Sequence, residues 1–170
     1  MTDYSSFRPS KLWRRLSVER RTDAATLFWS DDQSIDQQLE AVSAIASHMK
    51  FRPRSVVDLP IEKKARYLAT LPTVADSIAA RALVTYHLER QRPMMGTFLD
   101  SLGIAHENGL ISDETVAKPD DARLKRAAEE LASKFAAEDV SLYFATLVSQ
   151  DPETWGALSE VPQTEPALGR

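Results

Sequence analysis

The chain has 170 residues, of which 43% are hydrophobic and 27% charged, and its formal net charge is −4 at pH 7. These proportions are typical of a globular domain and exclude a disordered or collagen-like chain. No stretch approaches the roughly 18 apolar residues of a membrane-spanning helix. The absence of cysteine excludes disulfides and thiolate sites. The N-terminus lacks the basic and apolar regions of a secretory signal, so we expect a soluble, cytoplasmic protein.

The residue pattern predicts an all-α fold. Alanine, leucine, glutamate, arginine and glutamine are abundant, and these are strong helix formers. Alternation of β-branched residues is nearly absent, and the Asn-Gly hairpin signal occurs once, at Asn108-Gly109. Apolar periodicity, prolines and capping residues predict helices at 10–16, 18–29, 34–50, 60–70, 73–91, 93–102, 120–135, 138–149 and 152–158.

These ranges predict a single-domain, irregular bundle of about seven to nine helices over residues 1–158. Ser34-Ile35-Asp36-Gln37 matches a capping box, which would start the third helix. A change of phase in the apolar stripe predicts a break near Ala137. Residues 159–170 contain two prolines and no periodicity, so we expect a mobile C-terminal tail.

The segment 73–91 is the predicted centre of the bundle. Ten of the sixteen residues from 73 to 88 are apolar or alanine, and they fall on nearly every side of a helix. A helix that is apolar all round is a buried one, so we expect the other helices to pack about it. Arg81 is the exception, and a buried guanidinium must be paired or line a cavity.

Arg81 has two interpretations, a structural ion pair or an anchor for an anionic ligand. If Pro93 opens a helix that returns beside the first, Glu107 in the loop 104–110 reaches Arg81, and Gly103 ends the returning helix. The alternative function is then a small-ligand-binding protein or enzyme, with a pocket beside residues 73–103 and the loop 104–110 in which Arg81 orients an anionic group. The residues that would add proton transfer or hydrogen bonds are Tyr86, His87, His106 and Glu107.

The sequence predicts neither a metal site nor a cofactor, and it gives no residue a catalytic role. His87, His106 and Glu107 are the best metal ligands available, but the same helix geometry keeps the two imidazoles apart. The adjacent acidic pairs diverge by about 100° on a helix and form no catalytic dyad. Phosphate-loop, hydrolase-elbow and kinase motifs are missing from the sequence.

A nucleic-acid interface is a further alternative, carried by the N-terminal third. Its cations would bind phosphates, and the tryptophan would stack on a base. The residues concerned are Arg8, Lys11, Trp13, Arg14 and Arg15. The sequence pI near 5.4 is far from that of typical nucleic-acid-binding domains. Trp13 also has helical spacing with Leu12 and Leu16, which favours a place in the core.

The two halves of the chain carry opposite charge, +4 over residues 1–99 and −8 over residues 100–170. Such a division indicates either an anionic partner or halves that face each other within one chain or across a dimer. Together with the missing catalytic motifs, it favours a non-enzymatic helical protein that acts through protein–protein contacts, with a homodimer as one form of that contact.

Overall fold

The computed structural model describes residues 2–112 and 116–169. In these ranges the chain is all-α apart from one short hairpin. The ten α-helices of the described chain are α1 (Pro9–Arg15), α2 (Val18–Ser30), α3 (Ile35–Met49), α4 (Pro53–Val57), α5 (Ile61–Thr70), α6 (Asp76–Arg90), α7 (Arg92–Ser101), α8 (Asp121–Lys134), α9 (Ala137–Gln150) and α10 (Pro152–Trp155). Short 3-10 helices cover Ser5–Phe7, Gly156–Glu160 and Pro162–Leu168.

The predicted all-α fold is confirmed, with slightly more helices than expected. The addition is α4, whose five residues begin at Pro53 in the first turn. A helix of this length is too short to show periodicity, which is why the sequence pattern misses it. The predicted break near Ala137 is also confirmed, since α8 ends at Lys134 and α9 begins at Ala137.

The chain divides into two compact units. The first contains the chain up to Arg15 together with the chain from His87 onward, and the second contains Leu16–Tyr86. The helix predicted at 73–91 is α6, and the division falls within it, between Tyr86 and His87. As predicted, this helix is buried on most sides; its buried residues are Ile78, Ala79, Ala82, Leu83, Thr85, Tyr86 and His87.

The core of the unit Leu16–Tyr86 forms where α2 packs against α5. Alanines lie on both sides of this contact, with Ala24 and Ala25 on α2 and Ala65 and Ala69 on α5, all fully buried. Small side chains let the two helix backbones approach closely, and Phe28 on α2 is also fully buried. Helix α3 packs on α4 and α5 at the side of this core.

The core of the other unit is built around α9. Nine consecutive residues, Val140–Val148, are buried, so this helix is covered on every side. Helices α1, α8 and α10 and the 3-10 helices contact it. Phe98 joins α7 to this core, with its ring 5.0 Å from that of Phe144 and 5.9 Å from that of Trp155.

The C-terminal segment differs from the sequence-based expectation of a mobile tail over residues 159–170, of which residue 170 lies outside the described residues. It forms the 3-10 helix Pro162–Leu168, which packs on α9 with Thr164 and Leu168 buried. The Thr164 hydroxyl donates to the Leu158 carbonyl at 2.7 Å. A 3-10 helix has three residues per turn and runs for a few residues only, so apolar periodicity does not reveal it.

The two strands β1 (His106–Glu107) and β2 (Leu110–Ile111) form an antiparallel hairpin that packs on α7. Asn108 and Gly109 connect them, and both have positive φ, 50° and 89°. Positive φ at both central residues defines a type I′ turn, whose twist matches that of paired strands. The Asn-Gly signal is therefore a true hairpin signal in an otherwise helical chain.

We predict that Gly109→Ala destabilises the fold more than Gly103→Ala. Both glycines have positive φ, which costs about 1 kcal/mol for a residue with a Cβ. Only at Gly109 would the new Cβ lie 3.0 Å from the Arg92 carbonyl oxygen and from the Met95 Cβ. Urea unfolding of both variants measures the difference, and equal losses of free energy would contradict the close docking of the hairpin on α7.

Candidate functional site

Arg81 lies at the centre of a polar cluster that joins α6 to the turn between α2 and α3. Its Nε donates to the Ser34 hydroxyl at 2.8 Å, and its terminal nitrogen donates to the Asp31 carboxylate at 3.1 Å. The Ser34 hydroxyl in turn donates to the same Asp31 oxygen at 2.6 Å. The guanidinium and the carboxylate are both largely covered, with 32% and 21% of their side chains exposed.

The ion partner of Arg81 is therefore Asp31, and the prediction of Glu107 as its partner is wrong. Glu107 is exposed in β1. The prediction considered only the helix that follows α6, whereas the carboxylate that meets Arg81 comes from a turn 50 residues earlier in the chain. The structural interpretation of Arg81, as half of an ion pair, is the one that this geometry supports.

Ser34 also departs from its predicted role. It precedes α3 in the position of an N-cap, but its side chain makes no capping hydrogen bond. The hydroxyl is used by Asp31 and Arg81 instead, because a charged partner makes a stronger hydrogen bond than a backbone N–H. The sequence pattern at Ser34 predicts a bond to a backbone N–H of α3, whereas the hydroxyl bonds to Asp31 and Arg81.

The hydrogen bonds around Asp31 decide its protonation. Burial raises the pKa of this carboxyl, but the hydrogen bonds from Ser34, the Gln33 N–H and Arg81 outweigh burial and hold the pKa below its ordinary value of 3.8. The ionised pair therefore stabilises the fold at pH values above the ordinary value. This stability is lost as the pH falls through the lowered pKa.

His87 is buried beside the aromatic core of α9. The Thr146 hydroxyl donates to the Leu142 carbonyl at 2.8 Å, so its oxygen accepts from the His87 Nε2–H at 3.0 Å. The imidazole also meets the Tyr143 ring edge-on at 5.8 Å. Burial lowers the pKa of His87 to about 4 and raises that of Tyr143. Tyr86, the neighbouring residue, is buried as well.

His106 closes the turn of the hairpin with one ring nitrogen and attaches the hairpin to α7 with the other. The Gly109 N–H donates to Nδ1 at 3.0 Å, so Nδ1 is unprotonated and Nε2–H donates to the Asp100 carboxylate at 2.7 Å. Gly96 leaves room for the ring, since a Cβ there would lie 3.2 Å from His106 Cε1. A carboxylate orients this histidine as in a catalytic dyad, but the lone pair that would act as base is occupied.

Arg92 makes the second attachment of the hairpin. Its Nε donates to the Leu88 carbonyl at 2.8 Å, and a terminal nitrogen donates to the Asn108 carbonyl at 3.0 Å. The sequence analysis chose His106 as a possible reactive group but did not choose Arg92 or Asp100. The dipeptide Asn108-Gly109 indicates a hairpin turn. No local pattern indicates that Arg92 and Asp100 of α7 bond to this hairpin.

The N-terminal basic residues lie on or beside α1, which packs against α9 and the 3-10 helix Pro162–Leu168. Trp13 is buried, with 3% of its surface exposed, so the ring belongs to the core and offers no stacking face for a base. The other predicted nucleic-acid contacts, Arg8, Lys11, Arg14 and Arg15, are exposed or half-buried. One Arg15 nitrogen donates to the Ser6 carbonyl at 3.1 Å.

A cleft of about 570 Å³ lies between the end of α7 and the start of α8. It is lined by residues 102–105, 116–120 and Arg123. Ile104 and Ala105 belong to the loop 104–110 of the predicted pocket, but Arg81, Tyr86, His87, His106 and Glu107 do not line the cleft. Arg123 donates to the Leu102 carbonyl at 2.9 Å, and Asp120 accepts the Arg123 N–H at 2.8 Å as the N-cap of α8. The first bond joins the start of α8 to the end of α7, and the second caps α8 itself.

No group of three histidine, aspartate or glutamate side chains in residues 2–112 and 116–169 is arranged to hold a metal ion. In the same ranges, no helix has the length and apolar character needed to cross a membrane. Comparisons with protein-family models, with curated proteins and with solved structures find no match. The site must therefore be interpreted from its own geometry.

We predict that Arg81→Met lowers the free energy of unfolding by about 1–3 kcal/mol, because it removes charged hydrogen bonds to partly buried partners. Arg66→Met is the control, since Arg66 is exposed on α5, and it should cost less than about 0.5 kcal/mol. Denaturant unfolding at neutral pH measures both. Similar values for the two variants would contradict a structural role for the cluster.

We predict a second effect from the buried imidazole. The pKa of His87 falls from 6.5 in the unfolded chain to about 4 in the fold, so the unfolded chain binds the extra proton between these values. Stability is then complete above pH 6.5 and declines towards pH 4, by about 3 kcal/mol. His87→Gln keeps a donor for Thr146 and should reduce this slope. The free energy of unfolding of the wild type and of His87→Gln is measured between pH 6.5 and pH 4. If it changes with pH equally in both proteins, His87 is not held neutral in the fold.

Proposed function

We propose that this protein acts without catalysis, through protein–protein contacts, and that it associates with itself. The first support is how the fold uses the residues that seemed suited to chemistry. Arg81 is neutralised by Asp31, and the Nδ1 lone pair of His106 is bound by the Gly109 N–H. His87 is buried and stays neutral down to acidic pH, since burial lowers its pKa to about 4. A general base needs a lone pair that substrate can reach.

The observation that carries the proposal is the position of the exposed apolar side chains. Seven large hydrophobic side chains in the described chain are between 40% and 58% exposed. Six of them belong to the unit Leu16–Tyr86: Val18, Ile35, Leu39, Phe51, Val57 and Ile61. Single exposed hydrophobic residues are ordinary, but six of seven in one unit make this unit the part of the described chain best suited to contact with another protein.

The charge of this unit also favours contact between identical chains. Residues 16–86 contain nine basic and nine acidic residues, so the unit has no net charge. Two copies of such a surface do not repel each other, whereas the whole chain at −4 has a weak tendency to do so. Charges of both signs on one surface can orient a partner in addition to the apolar contacts.

Sedimentation velocity over a range of protein concentrations tests this proposal. We expect a monomer at about 1 µM and a growing dimer fraction towards about 100 µM, which is the range of a weak, reversible contact. Raising the salt from about 0.05 M to about 0.5 M should weaken the dimer, because screening removes the charged part of the interaction. A single monomeric species at every concentration and salt would overturn the proposal.

A further inference from the structure

The outward face of α3 is the best-defined part of the exposed apolar surface. Ile35 and Leu39 are one turn apart and 55% and 58% exposed, although the opposite face of the same helix is fully covered. Ser43 and Ser47 continue the outward face towards the C-terminus, and both are exposed. Small side chains in the middle of a helix face allow another helix to approach closely.

Charge is separated along this helix. Asp36 and Glu40 are exposed on the N-terminal half. At the other end, Lys50 is the left-handed C-cap residue, and Arg52 and Arg54 follow it, all three exposed. The N-terminal half is therefore acidic and the C-terminal end basic. Two such helices attract each other only when they run in opposite directions, since a parallel arrangement would bring like charges together.

An exposed aromatic ring lies at the basic end. Phe51 follows Lys50, and its N–H bonds to the Ala46 carbonyl at 2.9 Å, which closes the end of α3. Its ring meets Tyr67 edge-on at 6.0 Å, yet 40% of the residue stays exposed. The ring is thus held in place by a neighbour while one side remains open, as is typical of a contact residue.

We propose that α3 packs antiparallel against α3 of a second copy of this chain, with the two-fold axis at Ser43. This inference rests on the self-association proposed above and names its surface. Asp36 and Lys50 lie seven residues before and after Ser43, so a two-fold axis there brings Asp36 of one copy to Lys50 of the other. Leu39 and Ser47 lie four residues before and after Ser43, and the same axis brings Leu39 of one copy to Ser47 of the other.

The helix period supports this register. Seven residues are close to two full turns, so Asp36 and Ser43 lie on one side of the helix, and Lys50 follows the last turn as the residue that caps this end. In the antiparallel pair, Leu39 of each copy then meets Ser47 of the other. Each contact occurs twice, as required of an interface in which both partners use the same surface. The ionic contacts lie at the two ends of a centre made of Leu39, Ser43 and Ser47, and they fix the orientation of the pair.

The experiment is a charge exchange measured by sedimentation at low salt. Asp36→Lys and Lys50→Asp each place like charges opposite each other, and each should weaken dimerisation at least about tenfold. The double variant, Asp36→Lys with Lys50→Asp, restores opposite charges and should return to within about threefold of wild type. Glu129→Lys, an exposed change on α8, is the control and should leave the dimer unchanged.

Leu39→Asp is a second probe that does not depend on the ion pairs. Leu39 is 58% exposed, so the fold tolerates the change, and a charge at this position should abolish the dimer. Circular dichroism and thermal unfolding of every variant establish that the monomer is still folded. Loss of the dimer in both single charge variants and in Leu39→Asp, with recovery in the double variant, supports the proposal.

The remaining outcomes overturn it in different ways. A dimer that survives both single variants and Leu39→Asp places the contact elsewhere, while self-association itself still stands. Loss in the single variants without recovery in the double variant excludes the antiparallel register. If the wild type is monomeric and binds a single-stranded oligonucleotide that Lys50→Asp no longer binds, the basic end of α3 is a polyanion site, and both proposals fail.

Discussion

The pairing of buried polar groups is the constraint on which this structure depends. An ion or imidazole that leaves water loses hydration, so it must gain a partner or lose its charge. Arg81 gains Asp31 and Ser34, while His87 remains neutral beside Thr146. His106 is also satisfied, by Asp100 and the Gly109 N–H. Asp31, Thr146 and Asp100 each come from a different element of the same unit, so these bonds join elements that are separate in the chain.

This use of polar groups has a consequence for function. A side chain whose hydrogen-bonding capacity is filled by its own fold is not available to a substrate, and the residues best suited to chemistry are filled in this way. Six of the seven most exposed large hydrophobic side chains of the described chain lie on the unit Leu16–Tyr86. These side chains are the support for the contact with another protein that we propose.

Sequence reasoning succeeded where the determining forces are local. The ends of α2, α5 and α8 fall within a residue or so of their predicted positions, because capping, proline and apolar period act over a few residues. It failed where a helix was too short to show apolar periodicity, or where a side chain bonds to a residue distant in the chain. The five residues of α4 and the C-terminal 3-10 helix show no period, and the hydroxyl of Ser34 serves Arg81 where a helix cap was expected.

By itself, the sequence determined the helical class, the positions of most helices, the burial of α6 and the need for Arg81 to be paired. These follow from the composition and from interactions between residues a few positions apart. Only the tertiary structure decided that Asp31 is the partner of Arg81, that α7 holds the hairpin, and that the C-terminal segment packs on α9. Such contacts join residues distant in the chain, and their meeting depends on how whole helices pack, which no local pattern records.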